Sequence, residues 1–199
     1  MNHPLLDDSE LLQLGLRALR QNRDDEAIAF FKRAIEIEPR NAKAHFLLAA
    51  EHAQLGLRDR AITEMSQALE LEPDLTAARF QLGLLHFTGQ QPQEAERAWE
   101  PLKRLPAGHP FRLFASALMH LSQGRIPECL AELQDGIANN NINEPLNDDM
   151  RGLLQKLEGQ GAQSGSQRRS KTSTDAPLPS RRALLSTYDR NSDGTGEDR

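Results

Sequence analysis

The chain has 199 residues, a formal net charge of −5, 38% hydrophobic and 5% aromatic side chains, no valine and a single cysteine. That composition disfavours a sheet protein and a disulfide scaffold, and predicts one soluble all-α domain rich in Leu, Ala, Glu, Gln and Arg. Residues 1–158 carry 17 basic and 24 acidic side chains, and such an acidic body lacks the basic surface with which a nucleic-acid binder neutralises phosphates.

In chain order, MNHPLLDDSELL opens the sequence without a basic region followed by an apolar run, so it does not read as a secretory signal; residues 1–8 read as an N-terminal arm. No stretch reaches the ~18 apolar residues of a membrane span. With Cys129 unable to pair internally, the expectation is a cytoplasmic protein that neither inserts into membranes nor binds nucleic acid.

Residues 9–141 repeat on themselves at a spacing of 34. Three columns of mostly small residues carry the period: Gly15, Ala49, Gly83 and Ala117; Ala27, Ala61, Ala95 and Cys129; Ala34, Ala68, Leu102 and Gly136. Large residues recur beside them, in Leu14, Leu48 and Leu82 and in Phe31, Met65, Trp99 and Leu133. Small side chains at fixed positions are what two helices need to approach closely. Each unit therefore reads as two helices and a short turn. First helices are predicted over 9–21, 42–54, 76–88 and 110–122, and second helices over 24–37, 58–71, 92–104 and 126–138. Pro39 and Pro73 end two of the second helices, and turns fall at Asn22–Asp24, Gly56, Gly89–Pro92 and around Gly124.

A closing helix is predicted over 146–159, with Asn147 as its cap and Met150, Leu153, Leu154 and Leu157 as its apolar stripe, stopping at Gly159. From residue 160 the sequence is polar and rich in Ser and Gly, which predicts a disordered tail over 160–199. One island inside it, LPSRRALLSTYDR at 178–190, combines Leu184, Leu185 and Tyr188 with Arg181 and Arg182, a chemistry suited to docking.

These columns together resemble the tetratricopeptide repeat. The match is close in units 8–41 and 42–75. In 76–109 Leu102 replaces a small residue and Pro106 comes one residue early. Unit 110–141 is degenerate, with Ser116 at a large-residue position and no terminal proline. The resemblance implies a helix-turn-helix repeat solenoid, a superhelix whose first helices line a concave side, with the closing helix covering its end. It also implies a protein-binding module rather than an enzyme.

Each first helix carries more apolar residues than its repeat signature requires. Leu12, Leu16 and Leu19 form a second stripe in the first, Phe46 and Leu47 belong to the second, Phe80, Leu84 and Phe87 to the third, and Phe114 and Leu118 to the fourth. Carried onto the concave side, these ten residues would form an apolar groove for a peptide or an amphipathic helix. The competing reading is that neighbouring first helices simply pack on one another, with the fourth covered by the closing helix. Family members that clamp the acidic C-terminus of chaperones use Lys and Asn in the groove; Leu12, Leu16, Leu47, Ala77 and Gln81 stand at the matching positions here and cannot hold a carboxylate.

His52, His86 and His120 recur at the repeat spacing. Equivalent helices lie too far apart for ~2.1 Å Zn–N bonds from three rings to one ion, so these histidines are expected to fill half-buried slots. Cys129 occupies a small-residue column and reads as core. The run Asp189, Asn191, Asp193, Gly194 imitates the start of a calcium loop without its terminal Glu. No metal, cofactor or catalytic residue is expected. The function predicted is a non-enzymatic interaction module, an adaptor or a dedicated chaperone for a secretion or assembly system, with self-association through the groove left open. The alternative is a regulatory or targeting subunit of an enzyme complex.

Overall fold

The computed structural model describes residues 6–141 and 143–163; the tail from 164, with its island and its calcium-like run, lies outside them. The described residues are helical throughout, as the composition predicts. The first helices are α1 (Asp8–Arg20), α3 (Ala42–Gln54), α5 (Thr76–Thr88) and α7 (Pro110–Ser122), and the second helices are α2 (Asp24–Ile37), α4 (Arg58–Leu71), α6 (Pro92–Trp99) and α8 (Ile126–Asn139), followed by α9 (Glu144–Gln163). Every first helix starts 34 residues after the one before it, and so does every second helix.

The turn inside each pair follows the same period. Among the described residues, Asn22, Gly56, Gln90 and Gly124 have positive φ, at 56°, 73°, 60° and 73°. A chain reversing between two antiparallel helices needs one left-handed residue, where glycine is free of strain and asparagine tolerable. In the third pair this residue is Gln90, not the neighbouring Gly89.

The chain divides into two compact units, Met1–Ala78 and Arg79 onward. In the first, α1 packs on α2, α2 on α3 and α3 on α4. A capping box opens α1, with Glu10 N–H donating to Asp7 Oδ1 at 2.8 Å and Asp7 N–H to Glu10 Oε2 at 3.0 Å. Asn41 does double duty: its Oδ1 accepts from Ala44 N–H at 3.0 Å to cap α3, and its Nδ2 donates to Asp8 Oδ2 at 2.7 Å, tying the second repeat to the first.

In the second unit α8 packs against α7 and α9 against α8. Two expectations need correction here. The second helix of the third repeat does not run to 104: α6 ends at Trp99 and Glu100–Arg104 continue as a 3₁₀ helix. Pro101 is the cause, since it has no N–H to donate and its ring crowds the preceding turn. The closing helix begins earlier and ends later than 146–159. Asn143, not Asn147, accepts from the first turn (Leu146 N–H, 3.0 Å), Pro145 is tolerated in that turn, and Gly159 does not stop the helix. Asn147 is instead buried and exchanges hydrogen bonds with Asn140, its Oδ1 accepting from Asn140 Nδ2 and its Nδ2 donating to the Asn140 carbonyl, both at 2.9 Å.

The small-residue columns have a direct geometric reason. An ideal Cβ on Gly15 would lie 2.3 Å from Phe31 Cε1, and one on Gly83 only 2.1 Å from Trp99 Nε1. Each ring lies flat on the backbone of the partner helix, sixteen residues back in sequence. At the same offset the other two repeats pair Ala49 with Met65 and Ala117 with Leu133: glycine stands opposite an aromatic ring, alanine opposite an aliphatic chain. Gly15→Ala and Gly83→Ala are each expected to destabilise the protein by ~1–3 kcal/mol through overpacking. Gln90→Gly is expected to stabilise it by up to ~1 kcal/mol by relieving the left-handed strain. Urea denaturation midpoints of the three variants check both signs.

Candidate partner-binding face

All ten residues proposed for the groove are buried, and none is more than 5% exposed. A groove whose apolar side chains stand open to solvent is therefore not what the structure contains, and the reason differs between the two units.

In the second unit the packing alternative accounts for the side chains. Phe80 stacks on Phe111 with ring centroids 5.0 Å apart, on Phe114 at 5.4 Å and on Trp99 at 6.1 Å, while Phe87 meets Trp99 at 5.9 Å. Trp99 Nε1–H donates to the Phe80 carbonyl at 2.9 Å, so the buried indole leaves no polar atom unsatisfied. Phe80, Leu84, Phe87, Phe114 and Leu118 belong to one core with Leu146, Met150, Leu153 and Leu157 of α9. Gly136 makes room for that helix, with Met150 Sδ 3.5 Å from where its Cβ would stand.

In the first unit the apolar surplus has a different setting. Eleven of the thirteen residues of α3 are buried. Its His45, Leu48 and His52 look toward α2 and α4: His45 Nδ1 lies 2.6 Å from Glu64 Oε2, and Leu48 and His52 floor a cleft of about 660 Å³ whose walls include Lys32 and Ile35 of α2 and Arg60 and Glu64 of α4. At 100° per residue, Leu47 and Ala50 project from the opposite side of the helix, flanked by Phe46 and Ala53. Likewise Gly15 of α1 meets Phe31 of α2, whereas Leu12, Leu16 and Leu19 form the other stripe. These side chains are buried as well. Glu51, on the same stretch, is 1% exposed.

Sequence reasoning missed three residues of this region. His45 bridges two elements, its Nε2 3.1 Å from the Pro39 carbonyl and its Nδ1 on Glu64; its column in the repeat holds Leu11, Arg79 and Leu113 and so gives no consistent signal. Asn41 joins α3 to α1 through its bond to Asp8, a contact between residues distant in sequence. Glu51 sits among alanines and leucines in the sequence, and its burial is not announced by local spacing.

The recurring histidines take individual places. His86 Nδ1 lies 2.8 Å from Gln91 Oε1 and His120 Nε2 3.4 Å from Glu132 Oε2, while His52 Nδ1 and His120 Nδ1 are buried with no hydrogen-bond partner. Among the described residues no three His, Cys, Asp or Glu side chains converge as metal ligands, and no helix is long and apolar enough to cross a membrane. Burial pushes the Cys129 thiol up to about 11, which suits a core side chain and disfavours a thiolate nucleophile.

Comparison with known proteins follows the same lines. A family profile described as "TPR repeat" matches residues 15–56, and one described as "Tetratricopeptide repeat" matches residues 46–100. No match to a curated protein sequence was found. Among solved structures, the Cut9–Hcn1 hetero-tetramer of APC/C is similar over 92% of this chain and 32% of that chain, with TM-score 0.70 and 16% identity. MamA 41-end from Desulfovibrio magneticus RS-1 is similar over 95% and 97%, with TM-score 0.60 and 14% identity. YrrB, described as a TPR protein with an unusual peptide-binding site, is similar over 94% and 88%, with TM-score 0.57 and 14% identity. At these identities the likeness is one of fold.

Two histidines make the stability of the fold sensitive to acid. Burial lowers the pKa of His52, opposed in part by Glu64, and burial also lowers that of His109. His109 Nδ1 accepts from Phe111 N–H at 3.2 Å at the start of α7, a bond that requires an unprotonated nitrogen. Both groups bind protons more weakly folded than unfolded. Their contribution is therefore present above the ordinary imidazole value of 6.5 and is lost as pH falls below it. The melting temperature is expected to fall between pH 7.5 and 5.5, and the fall to be shallower in a His52→Tyr/His109→Asn variant, in which Asn keeps the cap without titrating. Thermal unfolding followed by circular dichroism at the two pH values checks this.

Proposed function

We propose that this chain, of which residues 15–56 and 46–100 match tetratricopeptide-repeat profiles, works as a non-enzymatic protein-interaction module whose partner-binding face is the apolar stripe of α1 and α3. The observation that supports the reading is the second apolar stripe of α1 and α3, which lies away from the sides these helices turn to Phe31 of α2 and Glu64 of α4. The five residues of this face are Leu12, Leu16, Leu19, Phe46 and Leu47. Phe80, Leu84, Phe87, Phe114 and Leu118, which form the core of the second unit, support the scaffold.

A suitable partner is an extended segment or amphipathic helix with apolar anchors, held mainly by buried apolar area at ~25 cal/mol per Å². Phe46, the largest side chain of the stripe, is the natural hot spot, and its truncation should cost ~2 kcal/mol or more of binding. An adaptor or dedicated chaperone for such a segment fits this surface better than a carboxylate clamp, for which it has no cation at the required positions. The YrrB likeness agrees with peptide binding but, at 14% identity, supports the fold and not the site.

Photocrosslinking locates the face. A photoreactive residue at Gln13 or Lys43, polar neighbours of the stripe, is expected to capture an apolar segment of one partner protein in cells. The same residue at Arg33 or Glu70, on the second helices, is expected not to. Capture confined to the second helices would overturn the assignment.

A further inference from the structure

We propose that the cleft between α2, α3 and α4 binds a small aliphatic zwitterion, a carboxylate and an ammonium held about one helical turn apart by an apolar chain. The cleft lies on the opposite side of α3 from Leu47 and Ala50, so this site is independent of the partner-binding stripe.

A volume of about 660 Å³ falls within the ~300–1,000 Å³ of small-molecule sites, and Ile35 and Leu48 give the cleft an apolar lining. Its charges are sorted along its length. His45 fixes the register, with Nδ1 2.6 Å from Glu64 Oε2 and Nε2 3.1 Å from the Pro39 carbonyl, just beyond the end of α2. Short turns join α3 to α2 and to α4, so α3 runs antiparallel to both. From His45 toward the end of α3, the cleft passes Leu48 and then His52 on α3, while it passes from Glu36 to Lys32 on α2 and from Glu64 to Arg60 on α4. Glu36 and Glu64 therefore mark an acidic end. Lys32 and Arg60 mark a basic end beside His52, where Asp59 offsets part of the positive charge. Lys32 precedes Glu36 by one turn, as Arg60 precedes Glu64, a rise of roughly 6 Å along a helix.

The basic end also holds an unsatisfied ring. His52 is 5% exposed, and its Nδ1 is buried with no hydrogen-bond partner among the described residues. Orphaned buried N–H groups are rarer than orphaned acceptors, which places the ring proton on Nε2, the nitrogen a ligand in the cleft can reach. Burial lowers the pKa of this imidazole, Glu64 opposes the shift, and Lys32 and Arg60 add to it, so both cations act on the same ring. A carboxylate seated there accepts from His52 Nε2–H and meets both cations. The ammonium at the other end of the ligand reaches Glu36 and Glu64, and the methylene chain between them covers Ile35 and Leu48. A simple anion would leave the acidic end unmatched, and a simple cation the basic end.

The test titrates isotope-labelled full-length protein with 5-aminopentanoate and follows backbone amide and His52 ring signals by NMR. Saturable shifts centred on the cleft residues of α2, α3 and α4 are expected. Pentanoate and pentylamine each remove one charge, and norvaline keeps the same atoms with both charges at one end. All three are expected to bind about threefold more weakly or worse, the scale of one exposed ion pair. Lys32, Glu36 and Arg60 are exposed, so substitutions there leave the fold intact, which unchanged helicity by circular dichroism checks. Arg60→Gln is expected to weaken 5-aminopentanoate about threefold or more. Glu36→Gln is expected to weaken it to a similar degree without weakening pentanoate. No saturable shift, saturation centred elsewhere, equal affinity for the four compounds, or unchanged binding in either variant overturns the proposal.

Discussion

The contact on which the structure depends is an aromatic ring laid against a glycine. Phe31 reaches the backbone of α1 because Gly15 has no side chain, and Trp99 reaches α5 because Gly83 has none. Every helix pair must make this approach to bury its inner faces, and the two remaining pairs make the same exchange at a smaller scale, alanine opposite Met65 and Leu133. Protein interiors leave little slack, so the size of one residue sets the permitted size of the other. That reciprocity is why both columns repeat at 34 residues. The left-handed residues Asn22, Gly56, Gln90 and Gly124 follow the same period, because each pair must reverse its chain at the same point.

On that frame the two units handle surplus apolar surface differently. The second closes on itself: Phe80, Phe111, Phe114 and Trp99 stack together, and α9 completes the core with Leu146, Met150, Leu153 and Leu157. The first keeps a stripe on α1 and α3 that its own helix pairs do not require.

The repeat positions were legible with small error because they depend on local spacing. All eight paired helices lie where the 34-residue period places them, within a residue or two except for α6. The exceptions trace to single prolines and asparagines. Pro101 turns the end of α6 into a 3₁₀ helix, an effect readable from the sequence but masked by the strength of the surrounding repeat. Asn143 wins the cap of α9 from Asn147, because Asn147 is drawn into a buried pair with Asn140, a contact between residues whose burial the sequence does not announce.

The exposure of the apolar stripes could not be read in the same way. Leu12 and Phe80 occupy equivalent positions 68 residues apart and look alike as sequence, each an apolar residue at helical spacing from others. Phe80 stacks on rings from the next repeat, whereas Leu12 belongs to the stripe of α1 that lies away from the contact of Gly15 with Phe31. Periodicity is a property of the chain and survives translation into structure, so helices, turns and close approaches were there from the beginning. Burial is a property of what stands opposite, set by contacts between residues distant in sequence, and it emerges when the helices have packed.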